Sequence, residues 1–288
     1  MITILTAFKP FKGEALMHQT NALRSWTALG RDVEILVFGE PRVFGPAVEP
    51  FGARVVPDVP TGEDGRARVD AIFEFGKLHG KFNRQVYVNG DIILMQDFVA
   101  AFQSIPFYKF LMVGQRMDVD VTEALSFDTP EAARVVHEKL CQSGVLHEPW
   151  GLDYFAYSRG SLPALPPLYV GAAAWDNLMI YFCRRARLPV VDATFGVTAF
   201  HQNHAYDATT RECPSARANR SLLPEPSCVF GAIDATHWLD HGRMRNALSS
   251  RRYAFRMISR YPVANAWPRP LRVPFRLAAA VWKRMGYA

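Results

Sequence analysis

Apolar residues along this chain follow two rhythms. Ile2–Thr6 and Val33–Phe38 are short apolar runs, the pattern of parallel strands covered on both faces. Between them Ala15–Leu29 predicts a helix, with Leu16, Leu23 and Trp26 on one face. Arg54–Val56 predicts a third strand, Ala67–Leu78 a second helix, Gln85–Val88 a fourth strand and Lys109–Val113 ("KFLMV") a fifth. This alternation predicts an α/β fold whose mainly parallel sheet is flanked by helices. Past Thr129 the rhythm loosens. A helix is expected at Pro130–Gln142 and strands at Asp153–Ser158 and Pro189–Thr194. Between those strands Trp175, Leu178, Met179, Phe182, Cys183 and Ala186 mark an amphipathic helix. From Pro214 the pattern predicts loops, with a linker near Asp240–Gly242 opening a C-terminal tail.

Composition narrows the setting. A chain of 288 residues, 49% hydrophobic and 21% charged, can bury a core for one large or two small globular domains. Its start, "MITILTAFKPFKG", has no basic leader and reads as a first strand, not a signal peptide. No run approaches the roughly 18 apolar residues of a membrane span. Cys141, Cys183, Cys213 and Cys228 form no CxxC pair, which favours a reducing, cytoplasmic compartment. The charge is divided along the chain. All 27 acidic residues lie at or before Asp240, while eleven of the 33 lysines and arginines fall between Arg243 and Arg284, leaving 22 basic against 27 acidic before them. A mildly acidic body thus carries a strongly basic tail, an asymmetry that points to an electrostatic partner.

One stretch carries chemistry. In "QVYVNGDIILMQD" (Gln85–Asp97) a run of buried-strand character is broken by Asn89-Gly90-Asp91. A bare buried carboxylate is too unfavourable to keep, so Asp91 must cap, pair or bind a cation. In open α/β sheets ligands bind beyond the carboxyl ends of strands, which is where this triplet falls. Gly90 allows close backbone approach, and Asp91 offers a hard oxygen to Mg²⁺ or Mn²⁺; the alternative is a turn in which Asp91 caps the next segment. The chain has no GxGxxG, GxxxxGK[ST] or GxSxG. His237 and His241 in "HWLDH" have helical metal spacing, but Trp238 stands where HExxH needs glutamate, so they read as a structural pair.

The order of elements, with "NALRSW", "VYVNGDIIL" and "HQNHAY", resembles small bacterial and plant members of the GT-A glycosyltransferase superfamily over roughly residues 1–207. The resemblance implies a GT-A-like single domain, Rossmann-like, over about residues 1–240. Its nucleotide-binding half would span about 1–115 and its acceptor half about 116–240, with a separate basic tail at 241–288. It places Asp91 at the second acid of the family's Asp-x-Asp motif, the direct metal ligand. Asn89 replaces the first acid and can still bond a ribose hydroxyl. Asp176, opening the amphipathic helix, falls at the acceptor-site acid and becomes a candidate general base; a helix N-cap is the structural alternative. His201 and His204 fall where the family supplies a C-terminal metal histidine, with His201, nearer the strand, the preferred one. Asp153 borders the same cleft, where it would bind sugar hydroxyls; a residue ending a turn is the structural alternative. Thr6, Ala7 and Phe8 after the first strand, Glu40 after the second and Arg68 on the second helix correspond to donor-binding positions.

Together these imply a metal-dependent enzyme that moves a sugar from a nucleotide diphosphate donor, chiefly a UDP-sugar, to a hydroxyl of a glycolipid or surface polysaccharide. Mn²⁺ or Mg²⁺ would sit on the diphosphate. Asp176 would accept the acceptor proton if the anomeric centre inverts; if it is retained, Asp176 or Asp153 would orient substrate. In the tail, Arg251, Arg252, Arg256, Arg260, Arg269, Arg272, Arg276, Lys283 and Arg284 alternate with Tyr253, Phe255, Trp267, Phe275 and Trp282. That mixture suits an anionic membrane surface, and a peripheral position on the cytoplasmic face is expected. Packing of the aromatics on the body is the second reading and nucleic-acid binding the least favoured. A nucleotidyltransferase, or a binding module without chemistry, are the competing functions.

Overall fold

The computed structural model describes residues 1–205, 209–225 and 229–284. Tyr206 and Cys228, named above, lie outside them, as do the side chains of Arg276, Trp282, Lys283 and Arg284. Strand β1 (Ile2–Thr6) leads through α1 (Gly13–Thr27) to β2 (Val33–Phe38), α2 (Pro41–Val48) to β3 (Arg54–Val56), and α3 (Val69–His79) to β4 (Arg84–Val88). Then come β5 (Ile92–Leu94), α4 (Gln96–Ser104), β6 (Leu111–Val113), β7 (Met117–Val119), α5 (Pro130–Ser143), β8 (Val145–Leu146) and β9 (Tyr154–Ser158). The rest is α6 (Trp175–Arg185), β10 (Val190–Asp192), β11 (Ala199–Gln202), α7 (Thr209–Glu212), α8 (Pro214–Ser221), β12 (His237–Asp240), β13 (Arg243–Asn246), α9 (Arg251–Ala264) and α10 (Arg269–Arg284).

The main sheet runs β13-β12-β10-β6-β9-β4-β1-β2-β3, parallel except for β9 and β13. Alternate residues of its strands feed two cores. Leu5, Leu36 and Tyr87 pack on the face covered by α3 and α6, and Ile4, Val37 and Val86 on the face covered by α1 and α4. This is the α/β architecture expected, a mainly parallel sheet flanked by helices, and burial on both faces is why the central strands lack polar alternation. Because β9 is antiparallel, Val88 pairs with Tyr154, and Asp153 is brought to the carboxyl end of β4. A second sheet, β5-β11-β7-β8, stands beside that edge.

Three expectations change. Leu16 is 48% exposed, because the buried side of α1 includes polar residues whose hydrogen bonds are met. Asn21, for example, bonds Gln202, the Glu123 carbonyl and the Leu125 amide. After Pro214 the chain is not all loop. Pro214 opens α8, where Cys213 Sγ accepts from the Ala216 amide. The linker expected at Asp240–Gly242 is the tight turn of the β12–β13 hairpin, with His241 and Gly242 in left-handed backbone (φ 47° and 78°). The boundary expected at residue 240 therefore falls inside a hairpin whose first strand pairs with β10 of the main sheet. This also removes the helical spacing of His237 and His241. His237 packs against Phe107, and His241 is exposed in the turn.

Part of the tail packs on the body. Tyr253 of α9 is buried, stacks on Trp238, and donates to Asp192 Oδ2 at 2.7 Å. Arg256 pairs with the fully buried Asp234, and Arg260 lies over the Phe230 ring. On α10 Arg272 pairs with Glu225, whereas Leu271, Val273 and Leu277 are exposed. Among the described residues no helix is long and apolar enough to cross a membrane.

Candidate active site

The Asn89-Gly90-Asp91 triplet is fixed from three directions. The Asn89 amide donates to the Asp153 carbonyl at 2.9 Å, and Asn89 Nδ2 donates to Asp153 Oδ1. An aspartate at position 89 would set two carboxylates against each other, so asparagine is the residue that can donate here. Gly90 is demanded by packing: a Cβ there would lie 2.5 Å from the ring of Phe8, which stacks on Trp26 at 5.9 Å. Asp91 is held by its backbone. Its carbonyl accepts from the Gln202 amide (3.3 Å) and Gln202 Nε2 (3.0 Å), tying it to β11.

The Asp91 carboxylate faces two imidazoles. Oδ2 lies 3.1 Å from His204 Nε2 and 3.8 Å from His201 Nε2, while Oδ1 is buried with no hydrogen-bond partner among the described residues. Burial alone would raise the acid's pKa, but the His204 hydrogen bond and the charges of His201, His204 and Lys9 hold it at about 2. Burial pushes His201 below the usual imidazole range, whereas the Asp91 contact raises His204. Asp91 is thus ionised near pH 7 and burial favours neutral His201, whereas His204 is pushed towards the protonated form and must release that proton to ligate a cation.

Ligand atoms of Asp91, His201 and His204 lie within 4.8 Å of one another. With the unpartnered Asp91 oxygen, this set fits a divalent cation. Two imidazoles make it better suited to Mn²⁺ than to Mg²⁺. The expected preference for His201 is not what the distances favour: His204 is the nearer to Asp91, and both rings turn Nε2 towards it.

Behind this trio runs a polar chain that sequence reasoning missed. His201 Nδ1 lies 3.1 Å from Asp118 Oδ1, and His147 Nδ1 2.6 Å from Asp118 Oδ2. Arg116 donates to Asp118 Oδ1 (2.9 Å) and to Asp153 Oδ2 (2.8 Å). Both oxygens of Asp153 are therefore engaged, one by Arg116 and one by Asn89. The available signal was "QRMDV", where Arg116 and Asp118 sit two apart on one face of a strand. Lys9, whose charge reaches Asp91, was also overlooked.

Asp176 lies in the first turn of α6 but is not its cap; Ala174 is, in left-handed backbone (φ 77°). The helix start is fixed by Asn177 Nδ2, which donates to the carbonyls of Trp150 (3.1 Å) and Phe230 (2.7 Å). Burial pushes Asp176 up to about 7, and the nearby Asp153 charge adds to this against the Asn177 amide. A carboxyl group that titrates near neutrality can hold or release a proton under working conditions.

Thr6 ends β1, and Ala7 and Phe8 follow it, with Phe8 against Gly90 of the triplet. Thr6 is buried, and its Oγ1 has no hydrogen-bond partner among the described residues. Glu40 is exposed after β2, where it caps α2. Arg68, before α3, is engaged by Asp70 at 2.5 Å. A cavity of about 590 Å³ lined by Leu29, Met95, Phe127 and His137 lies outside this cluster.

No protein-family model matches the sequence, and no curated protein matches it. Among solved structures, glucosyl-3-phosphoglycerate synthase from Mycobacterium tuberculosis in complex with UDP is similar at 17% identity and a TM-score of 0.46, over 76% of this chain and 77% of that one. The same synthase with Mn²⁺, UDP-glucose and phosphoglyceric acid has 17% identity and a TM-score of 0.43, over 77% and 79%. S. aureus TarS 1-349 in complex with UDP-GlcNAc has 10% identity and a TM-score of 0.48, over 90% and 72%. At such identities and TM-scores the functional reading rests on this chain's own residues.

Asp91→Ala should abolish Mn²⁺ binding while leaving the circular dichroism spectrum unchanged, because the side chain makes few structural bonds. Unaltered Mn²⁺ affinity by calorimetry would remove Asp91 from the metal set.

Proposed function

We propose that this protein is a glycosyltransferase that moves a sugar from a UDP-sugar to a hydroxyl of a glycolipid or surface glycan, assisted by Mn²⁺. The observation that carries this reading is the buried, unpartnered Asp91 oxygen beside two imidazoles, on the same sheet edge as an acid that titrates near 7. Asp91, His201 and His204 would hold the cation. When bound, it would offset charge developing on the departing nucleoside diphosphate. Thr6, Ala7 and Phe8 would line the nucleotide side, with Glu40 and Arg68 further out. Asn89 acts indirectly, by holding Asp153.

Asp176 supplies the acceptor step. Its carboxylate form takes the proton from the acceptor hydroxyl, which an inverting transfer requires. Asp153 raises the proton affinity of Asp176 by its charge, and Arg116 holds Asp153 in place. This departs from a direct sugar contact for Asp153, since both of its oxygens are engaged. Asn89 does not weaken the case for chemistry, because its amide has a structural partner here.

The acceptor would be reached at a membrane. α9 belongs to the folded body, so the lipid-facing part narrows to α10, where exposed Leu271, Val273 and Leu277 accompany Arg269. Basic residues near anionic lipid contribute about 1 kcal/mol each.

Two outcomes check this. Activity should rise with pH along a limb centred near 7, since the base works only deprotonated. Asp153→Asn should move that limb to lower pH, and Asp176→Asn should lower kcat by about 10²–10⁴ with UDP affinity unchanged; a limb indifferent to Asp153 would contradict the assignment. A chain ending at residue 268 should no longer sediment with anionic vesicles, and undiminished sedimentation would remove the membrane role of α10.

A further inference from the structure

The polar chain behind the metal-facing trio converges on Asp118. Parallel pairing of β7 with β11 sets Asp118 directly opposite His201, with both side chains on one face of the small sheet. The carboxylate is shared three ways. Oδ1 meets His201 Nδ1 at 3.1 Å and Arg116 Nε at 2.9 Å, and Oδ2 meets His147 Nδ1 at 2.6 Å. An ionised carboxylate only accepts, so each of these nitrogens must bring the proton.

For His201 this has a chemical consequence. A neutral imidazole has one N–H, and its position is set by what the other side of the ring meets. With Asp118 accepting at Nδ1, the proton sits there, and the lone pair is left on Nε2, which faces Asp91. His201 is almost wholly buried, so its ring has few other orientations open to it. The Arg116 guanidinium pairs with the Asp118 carboxylate at 2.9 Å.

We propose that Asp118 is a positioning residue that fixes the tautomer and orientation of His201, so that Nε2 offers its lone pair to a divalent cation shared with Asp91. The proposal rests on the metal reading above and goes beyond it, because the resemblance that pointed to Asp91 and the histidines assigns no role to Asp118. Arg116 restrains the carboxylate in turn. By bonding Asp153 as well, it ties the support of the histidine to the acid beside Asp176. His204 gains its own orientation differently, through Nδ1 at 3.1 Å from the Ala205 carbonyl.

The test combines a metal-free readout with a metal-binding one. Long-range ¹H–¹⁵N NMR of the metal-free protein at pH 8 should show His201 as the Nδ1–H tautomer. In Asp118→Ala the ring should lose that preference, and in Asp118→Asn, whose amide oxygen can still accept, it should keep it. Mn²⁺ affinity should fall about 10–100-fold in Asp118→Ala, the scale on which outer partners of metal histidines act. It should recover in Asp118→Asn and stay within about threefold of wild type in His147→Ala, which leaves the His201 contact intact. An Nε2–H tautomer in the wild type would overturn the proposal without any variant. So would an Asp118→Ala protein with an unchanged tautomer and Mn²⁺ affinity within threefold. If wild type and Asp91→Ala bound Mn²⁺ equally weakly, the metal reading would fail, and the tautomer measurement would still decide whether Asp118 governs the ring.

Discussion

A carboxylate oxygen withdrawn from water and given no hydrogen-bond donor is destabilising by several kcal/mol, so a fold retains one only where something else satisfies it. Among the described residues Asp91 Oδ1 is such an oxygen. The surrounding architecture maintains it. β11 clamps the Asp91 backbone through Gln202, whose amide also donates to the His18 carbonyl and whose oxygen accepts from Asn21. The same strand delivers His201, and the segment after it His204. Asp91 and the two histidines, from two distant parts of the chain, are thus brought together by one antiparallel pairing, β5 with β11.

The two acids further along the sheet edge divide their roles by environment. Asp153 is buried, and each of its oxygens is met, one by a guanidinium and one by an amide. Asp176 is half-buried with no ion-pair partner among the described residues, and burial moves it to about 7. One carboxylate is stabilised by its partners while the other keeps an affinity for protons, the separation that acid–base chemistry needs.

The fold was legible where burial is uniform. Strands such as Val33–Phe38, covered on both sides, announce themselves as apolar runs, and the break at Asn89-Gly90-Asp91 stood out against one of them. His201 and His204 were legible through resemblance. Asp118, Arg116 and His147 were not, because their meaning lies in pairing across strands distant in sequence, and "QRMDV" by itself resembles a solvated edge. The tail misled for a related reason. Tyr253, Arg256 and Arg260 have the composition of a surface segment, but buried Asp192 and Asp234 and the Phe230 ring bind them to the body. Leu16 shows the converse: the buried face of α1 is partly polar, so a hydrophobic rhythm could not locate it.

The most direct test of the account is calorimetric titration of the purified chain with UDP, with Mn²⁺ present and after its removal by chelation. The account predicts saturable UDP binding that requires the metal. UDP binding of equal strength in both conditions would contradict it and return Asp91 to a structural role.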